Sequence, residues 1–273
     1  MSPRAVSVVV TVRNEVQRIA DLLRSLEGQG AAEVIVVDAL SRDGTAEVVR
    51  TFADRLPLRV VERACSRGAG RNLGASLAAS PLLAFTDGDC VAQPGWVAAL
   101  EAAWQGAPDR VVAGATQVAG RYAMLDRVEL AQGGQDTTWP SCNLAYPREL
   151  FERLGGFDEA FVTAEDIDLN YRAVAAGARI VHAPAARILA HARTTLPAFL
   201  RQAYWNGYGR KQLTLKHGKL WQQYRLADLV KPRSLSPAAV LRLAAGLVGY
   251  LDAKFGRPPP AQPSKPGTPA TAS

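Results

Sequence analysis

The sequence is poor in cysteine, and the few cysteines it has exclude several classes of protein. Only Cys65, Cys90 and Cys142 occur among 273 residues, far apart and without a C-x-x-C pair. That spacing indicates neither a cysteine-based metal site nor a disulfide framework. We expect three free thiols, which suits a reducing, cytoplasmic environment.

Long uninterrupted apolar runs are also missing. No stretch approaches the roughly 18 apolar residues of a transmembrane helix, so none is predicted. The first apolar run, Val6–Val12, is too short for the core of a signal peptide, and no cleavage-site pattern follows it. We expect a cytoplasmic protein, with peripheral binding to the inner face of a membrane left open.

The two common nucleotide-binding glycine loops are absent. Ser66–Gly74 is rich in glycine, but its spacing is neither G-x-G-x-x-G after a first strand nor G-x-x-x-x-G-K-[ST]. A dehydrogenase or a P-loop enzyme is therefore disfavoured. This stretch is interpreted as a glycine-rich loop that leads into a helix, where its backbone amides could meet a phosphate.

Acidic residues are scarce in the last third of the chain. The net charge is +7, and Arg193 to Arg242 contains ten Lys or Arg but a single acid, Asp228. This excess predicts a phosphate-bearing partner or an anionic membrane surface. No nucleic-acid-binding motif accompanies the charge, so we do not expect nucleic acid as a partner.

What the sequence does contain is a regular alternation of strands and helices. Apolar, β-branched runs at Val6–Val12, Glu33–Val37 and Leu58–Glu62 predict buried strands, and apolar residues at helical spacing lie between them. A βαβαβ order implies a parallel sheet with right-handed crossovers. The predicted class is therefore α/β.

One strand ends in an unusual group of acids. The apolar run Leu82–Phe85 is followed by Thr86 and then Asp87-Gly88-Asp89. Ligands of open α/β sheets bind beyond the carboxyl ends of strands, and two neighbouring carboxylates are costly without a cation. Carboxylates suit Mg²⁺ or Mn²⁺. We therefore expect a metal that holds a diphosphate here; a solvated turn is the alternative.

Several motifs follow one another in a fixed order that resembles family 2 glycosyltransferases with the GT-A fold. They are Thr11 to Glu15, Asp38 with Asp43-Gly44-Thr45, Gly68 to Gly74 with Arg71-Asn72, Asp87-Gly88-Asp89, Gly155-Gly156-Phe157-Asp158, and Glu165-Asp166-Ile167-Asp168-Leu169. The resemblance implies a Rossmann-like, mostly parallel central sheet flanked by helices, followed here by a C-terminal helical extension. It also implies inverting, Mg²⁺- or Mn²⁺-assisted transfer of a sugar from a nucleotide diphosphate to a hydroxyl acceptor.

The resemblance assigns donor-side roles by position. Asp87 and Asp89 match the DxD motif that meets ribose and metal, and Gly88 separates them. The residues at nucleotide-contacting positions are Thr11, Arg13, Glu15, Asp38 and Arg71, although Arg71 can also be read as a surface charge. Arg13 replaces a common tyrosine, and Ala39 follows Asp38 where a second acid is usual. These two departures leave the base of the nucleotide undetermined. A UDP-sugar is favoured as the donor, with GDP- and dTDP-sugars as alternatives.

On the acceptor side, the resemblance assigns the general base to Asp166. Glu165 is expected to orient the acceptor, and Asp168 to be structural or a partner of Arg172. A charged first helical turn is the simpler explanation of these acids. His191 stands where some relatives place a metal or diphosphate ligand, although a histidine after a strand is more often a packing residue.

Domain boundaries follow from these assignments. We expect a glycosyltransferase domain over 1–192, with nucleotide-binding and acceptor halves divided near residue 90, a helical extension over 193–255 and a disordered tail over 256–273. The Leu235–Phe255 helix can dock, dimerise or meet a membrane. A sugar-phosphate nucleotidyltransferase and a non-catalytic sugar- or lipid-binding module are the alternative functions. The oligomeric state is not predicted.

Overall fold

The computed structural model describes residues 5–120, 129–191, 195–218, 220 and 237–256. Its strands are β1 Val6–Val12, β2 Glu33–Asp38, β3 Leu58–Glu62, β4 Leu82–Asp87, β5 Cys90–Ala92, β6 Arg110–Ala119, β7 Ala131–Gln132, β8 Gln135–Asp136, β9 Leu144–Pro147 and β10 Arg179–His191. Its α-helices are α1 Ile19–Leu26, α2 Thr45–Arg50, α3 Arg67–Leu77, α4 Trp96–Trp104, α5 Arg148–Arg153, α6 Glu165–Ala175, α7 Leu196–His217 and α8 Pro237–Lys254.

The central sheet has eight strands in the order β3-β2-β1-β4-β9-β6-β10-β5. Strands β1 to β4 are mutually parallel, and β6 is parallel to β10. The antiparallel strand β9 joins β4 to β6, and β5 lies antiparallel to β10 at the edge. The predicted α/β class with a mostly parallel central sheet is confirmed.

Apolar layers cover both faces of the sheet. Val8 and Val10 of β1 pack in the layer that contains the apolar side of α1, whereas Val9 faces the layer that contains Phe85 and Phe157. Because successive side chains of a strand point to opposite faces, an uninterrupted apolar run such as β1 serves both layers.

The glycine-rich stretch is helical, so its interpretation as a loop is wrong. Helix α3 begins at Arg67, directly after its N-cap Ser66, and contains Gly68, Gly70 and Gly74. A Cβ on Gly70 would lie 3.1 Å from the Thr11 side chain, and one on Gly74 would overlap Val9. The glycines therefore allow α3 to approach β1 closely.

Three local features of the fold complete its description. Strand β10 runs from Arg179 to His191, and its register with β6 shifts between Ala183 and Arg187. Helix α2 begins at Thr45, after its N-cap Gly44, and ends at Arg50. The short strands β7 and β8 pair as an antiparallel hairpin, and residues 121–128 lie outside the described part.

The helical extension consists of α7 and α8, which pack against each other. Helix α7 also contacts the loop before α6: Gln212 accepts a hydrogen bond from the Val162 backbone and donates one to the Ala160 carbonyl. Among the described residues, no helix combines the length and the apolar character needed to cross a bilayer. The tail predicted to be disordered lies almost wholly outside the described residues.

Candidate active site

Three of the predicted donor-side residues meet at one edge of the sheet. In the parallel register, Thr11 of β1 lies beside Asp87 of β4, and the next residue, Val12, lies beside Asp38 of β2. These are the carboxyl ends of three neighbouring strands, which is where open α/β sheets bind ligands. Thr11, Asp38 and Asp87 are therefore brought together as the motifs suggested.

The loops after β1 and β2 are bound to each other. The backbone N–H groups of Asn14 and Glu15 donate to the hydroxyls of Ser41 and Thr45, at 2.8 and 2.9 Å. The backbone N–H of Val16 donates to the Asp43 carboxylate at 3.2 Å. The Asp43-Gly44-Thr45 motif thus holds the loop that carries Arg13, which is exposed, and Glu15, which is half-buried.

Asp38 is fully buried, with one oxygen satisfied and the other not. Its Oδ1 accepts a hydrogen bond from the Ser41 backbone at 2.6 Å, while its Oδ2 has no hydrogen-bond partner among the described residues. Burial raises the pKa of Asp38, although the bond from Ser41 opposes that shift. A buried acceptor without a hydrogen bond destabilises the fold, so we expect Asp38 Oδ2 to accept a hydrogen bond from a donor outside the described residues.

The Asp87-Gly88-Asp89 turn follows β4 and lies against β1. A Cβ on Gly88 would lie 2.5 Å from Val12 Cγ1, so only glycine fits there without displacing the strand. The carboxylates on either side remain partly exposed, with 28% of the Asp87 side chain and 20% of the Asp89 side chain accessible. Arg18 lies 3.9 Å from Asp89.

Arg71 links the Asp87 turn to the start of α6. Only 1% of this side chain is accessible, which excludes the surface position considered as an alternative. One guanidinium nitrogen donates to Asp87 and another to Glu165, both at 2.7 Å, and the group lies 5.4 Å from the ring centroid of Phe157. Burial opposes its charge, but the Asp87 and Glu165 carboxylates outweigh burial and raise the pKa of Arg71.

The residue after Arg71 binds the Gly155-Gly156-Phe157 turn. Asn72 accepts a hydrogen bond from the Phe157 backbone N–H and donates one to its carbonyl, both at 2.8 Å. A Cβ on Gly156 would lie 2.5 Å from the Asn72 side-chain oxygen. Two motifs that are about 85 residues apart are therefore one structural unit.

The first turn of α6 directs its two neighbouring acids to different places. Glu165 is buried against Arg71, whereas Asp166 is half-buried and accepts a hydrogen bond from the Ser141 backbone at 3.0 Å. Burial raises the pKa of Asp166, and the neighbouring charge of Glu165 raises it further, while the bond from Ser141 opposes both. A raised pKa suits a carboxylate that takes up a proton.

Asp168 belongs to a different contact region. It is fully buried and binds Arg172 at 2.8 Å, as predicted, but it also binds Lys216 at 2.8 Å and His217 at 2.7 Å. Burial opposes its ionisation, but the bonds from His217 and Lys216 and the charge of Arg172 outweigh burial and lower the pKa of Asp168 to about 2. Asp168 therefore attaches the end of α7 to α6.

His191 ends β10 beside the acidic turn. Strand β10 pairs with β5 so that Ala190 lies opposite Cys90, and His191 and Asp89 are the residues next to this pair in the chain. Within the described part of the chain, no group of three or more His, Cys, Asp or Glu side chains could hold a metal by itself. Mg²⁺ is commonly held by one or two carboxylates together with substrate phosphates, so the site suits a metal that arrives with a diphosphate.

Sequence reasoning missed several residues that organise the site. Ser141, which contacts Asp166, stands in a short 3-10 helix at Ser141–Asn143. Asn143 accepts a hydrogen bond from the Trp96 indole at 2.8 Å and donates to the carbonyls of Ala115 and Ala186. Neither residue belongs to a recognisable motif, because each acts through contacts with distant segments.

Comparison with solved structures supports the fold. A mannosyltransferase from Pyrobaculum calidifontis in complex with GDP-Man and Mn²⁺ matches with a TM-score of 0.62 at 24% identity, over 92% of this chain and 74% of that one. TarS from S. aureus in complex with UDP-GlcNAc matches with a TM-score of 0.60 at 18% identity, over 92% and 83%. The GT-A fold inferred from the resemblance is thereby confirmed.

Among curated proteins, pre-mycofactocin glycosyltransferase of Mycobacterium tuberculosis is 28% identical over 236 residues, covering 79% of this chain and 49% of its own length. Validoxylamine A glucosyltransferase of Streptomyces hygroscopicus is 32% identical over 217 residues, covering 63% and 51%. The chain thus spans about half the length of these relatives. The family model for glycosyl transferase family group 2 matches residues 99–251, and that for glycosyl transferase family 2 matches residues 7–151, more than half of the chain. The chain belongs to glycosyl transferase family 2.

Proposed function

We propose that this protein transfers a sugar from a nucleotide-diphosphate donor to an acceptor hydroxyl with inversion at the sugar. The observation that carries this proposal is the buried Arg71, which binds Asp87 and Glu165 at 2.7 Å each. Through this link the acidic turn for the donor and Asp166 belong to one site. Membership in the family supports the same reaction class.

The nucleoside is assigned to the edge formed by β1 and β2. The Asp38 Oδ2 atom without a described donor suits the imide N–H of uracil or the N–H groups of guanine, both charge-assisted hydrogen bonds. Because Asp38 is fully buried, the residues that cover it must move when the nucleoside binds. We favour a UDP-sugar, with GDP- and dTDP-sugars as alternatives; the similar structures hold UDP-GlcNAc and GDP-Man.

A divalent cation, Mg²⁺ or Mn²⁺, would be held by Asp89 and Asp87 together with the diphosphate of the donor, and His191 would contact that diphosphate. The partly exposed carboxylates and the register of β5 with β10 support this set. When bound, such a cation neutralises the negative charge that develops on the leaving diphosphate. Asp87 also binds Arg71, so we expect Asp89 to be the stronger ligand.

Asp166 is the proposed general base. It would accept the proton of the acceptor hydroxyl as that oxygen attacks the sugar from the face opposite the diphosphate, which gives inversion. The bonds from the backbone N–H groups of Ser141 and Ile167 hold the carboxylate in place. Glu165, buried against Arg71, suits a positioning role better than the acceptor contact expected from the motif.

The test is a thermal-shift panel of UDP, GDP, dTDP and CDP, each with and without Mn²⁺. A ligand that binds the native state raises the melting temperature by mass action. One nucleotide should give a shift that depends on the metal, and Asp89→Ala should remove the metal-dependent part. Asp21→Ala, an exposed acid on α1, is the matched control and should keep it. The absence of any shift across the panel would contradict the proposal.

A further inference from the structure

Helix α8 packs with its small residues inwards. Gly246 and Gly249 face α7 so closely that a Cβ on Gly207 or Gly249 would overlap the backbone of the other helix. Ala239 and Ala253 are also buried. The inner face of α8 is thus built from glycine and alanine, which allows close contact but buries little apolar surface.

The large apolar side chains of α8 are exposed and lie on the side of the helix opposite its contact with α7. At 100° per residue they fall within an arc of about 160°. The exposed fractions are Val240 55%, Leu241 46%, Leu243 58%, Leu247 58%, Val248 53%, Leu251 37% and Phe255 66%, the last being just beyond the helix. A docked helix normally turns such a face towards the core, and a contiguous exposed apolar patch indicates a binding surface.

The charges around this face indicate which partner fits. Helices α7 and α8 contain six Lys or Arg, of which Lys216 binds Asp158 and Asp168, and a single acid, Asp252, which accepts a hydrogen bond from Tyr204. A second copy of the chain would bring two such basic surfaces together, whereas an anionic lipid surface complements them.

We propose that the outward face of α8, defined by Val240 to Phe255, binds the surface of an anionic membrane, with the helix lying in the plane of the interface. An interfacial helix inserts its apolar side chains among the acyl chains and keeps its basic residues at the level of the headgroups. Lys254 lies within the apolar arc, and Arg201 is exposed on α7. This proposal does not depend on the catalytic assignment.

The experiment is sedimentation of the full chain with vesicles of phosphatidylcholine alone or phosphatidylcholine mixed with phosphatidylglycerol, at low and high salt. Binding should require the anionic lipid and weaken at high salt because screening reduces the attraction. Leu243→Ser with Leu247→Ser should lower the partition coefficient at least tenfold, because each leucine that inserts among the acyl chains removes apolar surface from water. Leu40→Ser, which changes an equally exposed leucine elsewhere, should leave binding unchanged.

A variant that removes only positive charges tests the electrostatic contribution to membrane binding without altering the apolar face. Arg201→Gln with Lys254→Gln should weaken binding about fivefold per charge, whereas Arg24→Gln with Arg50→Gln, on α1 and α2, should not. Loss of pelleting with every vesicle at both salt concentrations would overturn the proposal, and so would equal binding to neutral vesicles. A concentration-dependent dimer that Leu243→Ser with Leu247→Ser abolishes, without vesicle binding, would assign the face to a second copy.

Discussion

The proposed donor half, β1 to β5 with its loops, and the helices α6, α7 and α8 position their residues in different ways. In the proposed donor half, Asp38 and Asp87 are the last residues of apolar strands, and the loop after β2 binds Asp38 through the Ser41 backbone. In α6, three acids of one turn bind three distant regions: Glu165 binds α3, Asp166 binds the segment before β9, and Asp168 binds α7.

The comparison teaches which features a local pattern can determine. An uninterrupted apolar run indicates a strand that is buried on both faces, and the parallel pairing of such strands brings their carboxyl ends together. A helical pattern only indicates which side chains share a face, and the segments that this face contacts depend on the rest of the fold. Helix α8 is the clearest case, because its large apolar residues lie on the exposed side and its glycines on the buried side.

The largest expected effect is on turnover, and it distinguishes the role of α6 from that of the proposed donor half. Asp166→Asn should lower kcat by about 10²- to 10⁴-fold, the usual contribution of a general base, and leave nucleotide affinity nearly unchanged. Single-turnover transfer assays and nucleotide titrations measure the two quantities. An Asp166→Asn enzyme with normal turnover would remove the base assignment.

Breaking the link between the regions should cost stability. Arg71→Met leaves the buried Glu165 carboxylate without its partner, and loss of one member of a buried pair typically costs about 3–5 kcal/mol in the free energy of unfolding. Urea denaturation checks the value. Arg67→Met, an exposed position on the same helix, is the control and should change stability by less than about 0.5 kcal/mol.

A pair of leucine truncations sharpens the contrast between burial in α1 and exposure in α8. Leu22→Ala removes a fully buried side chain and should lower the free energy of unfolding by about 2–5 kcal/mol. Leu247→Ala removes one that is 58% exposed and should change it by less than about 0.5 kcal/mol. If both variants are equally destabilised in urea, the outward orientation of α8 is wrong.

The attachment of α7 should depend on pH. The folded-state pKa of Asp168 is about 2, below its ordinary value of 3.8, so its ionised form stabilises the fold. This contribution, about 2 kcal/mol, is complete above pH 5 or so and is lost as the pH falls towards about 2. The unfolding free energy of Asp168→Asn should therefore vary less over this acidic range than that of the unchanged protein. Parallel acid-dependent slopes for the two proteins would contradict the assignment.

Much of the donor half could be predicted before the structure was known. The bounds of β1 and β3 and the carboxylates after β2 and β4 follow from apolar runs that end in polar residues. The prediction for Gly68 to Gly74 was wrong because glycine favours loops locally, whereas here it permits α3 to pack tightly on β1. The partners of Arg71 could not be predicted, since Glu165 lies 94 residues away.

By itself, the sequence determined the order of strands and helices, the family and the acids at the strand ends, because periodicity and short motifs are local properties of the chain. Only the tertiary structure decided that Arg71 is buried between two carboxylates, that Ser141 holds Asp166 and that α8 turns its leucines outwards. Those features depend on contacts between segments far apart in the chain, and a helical pattern defines a face without stating what that face meets.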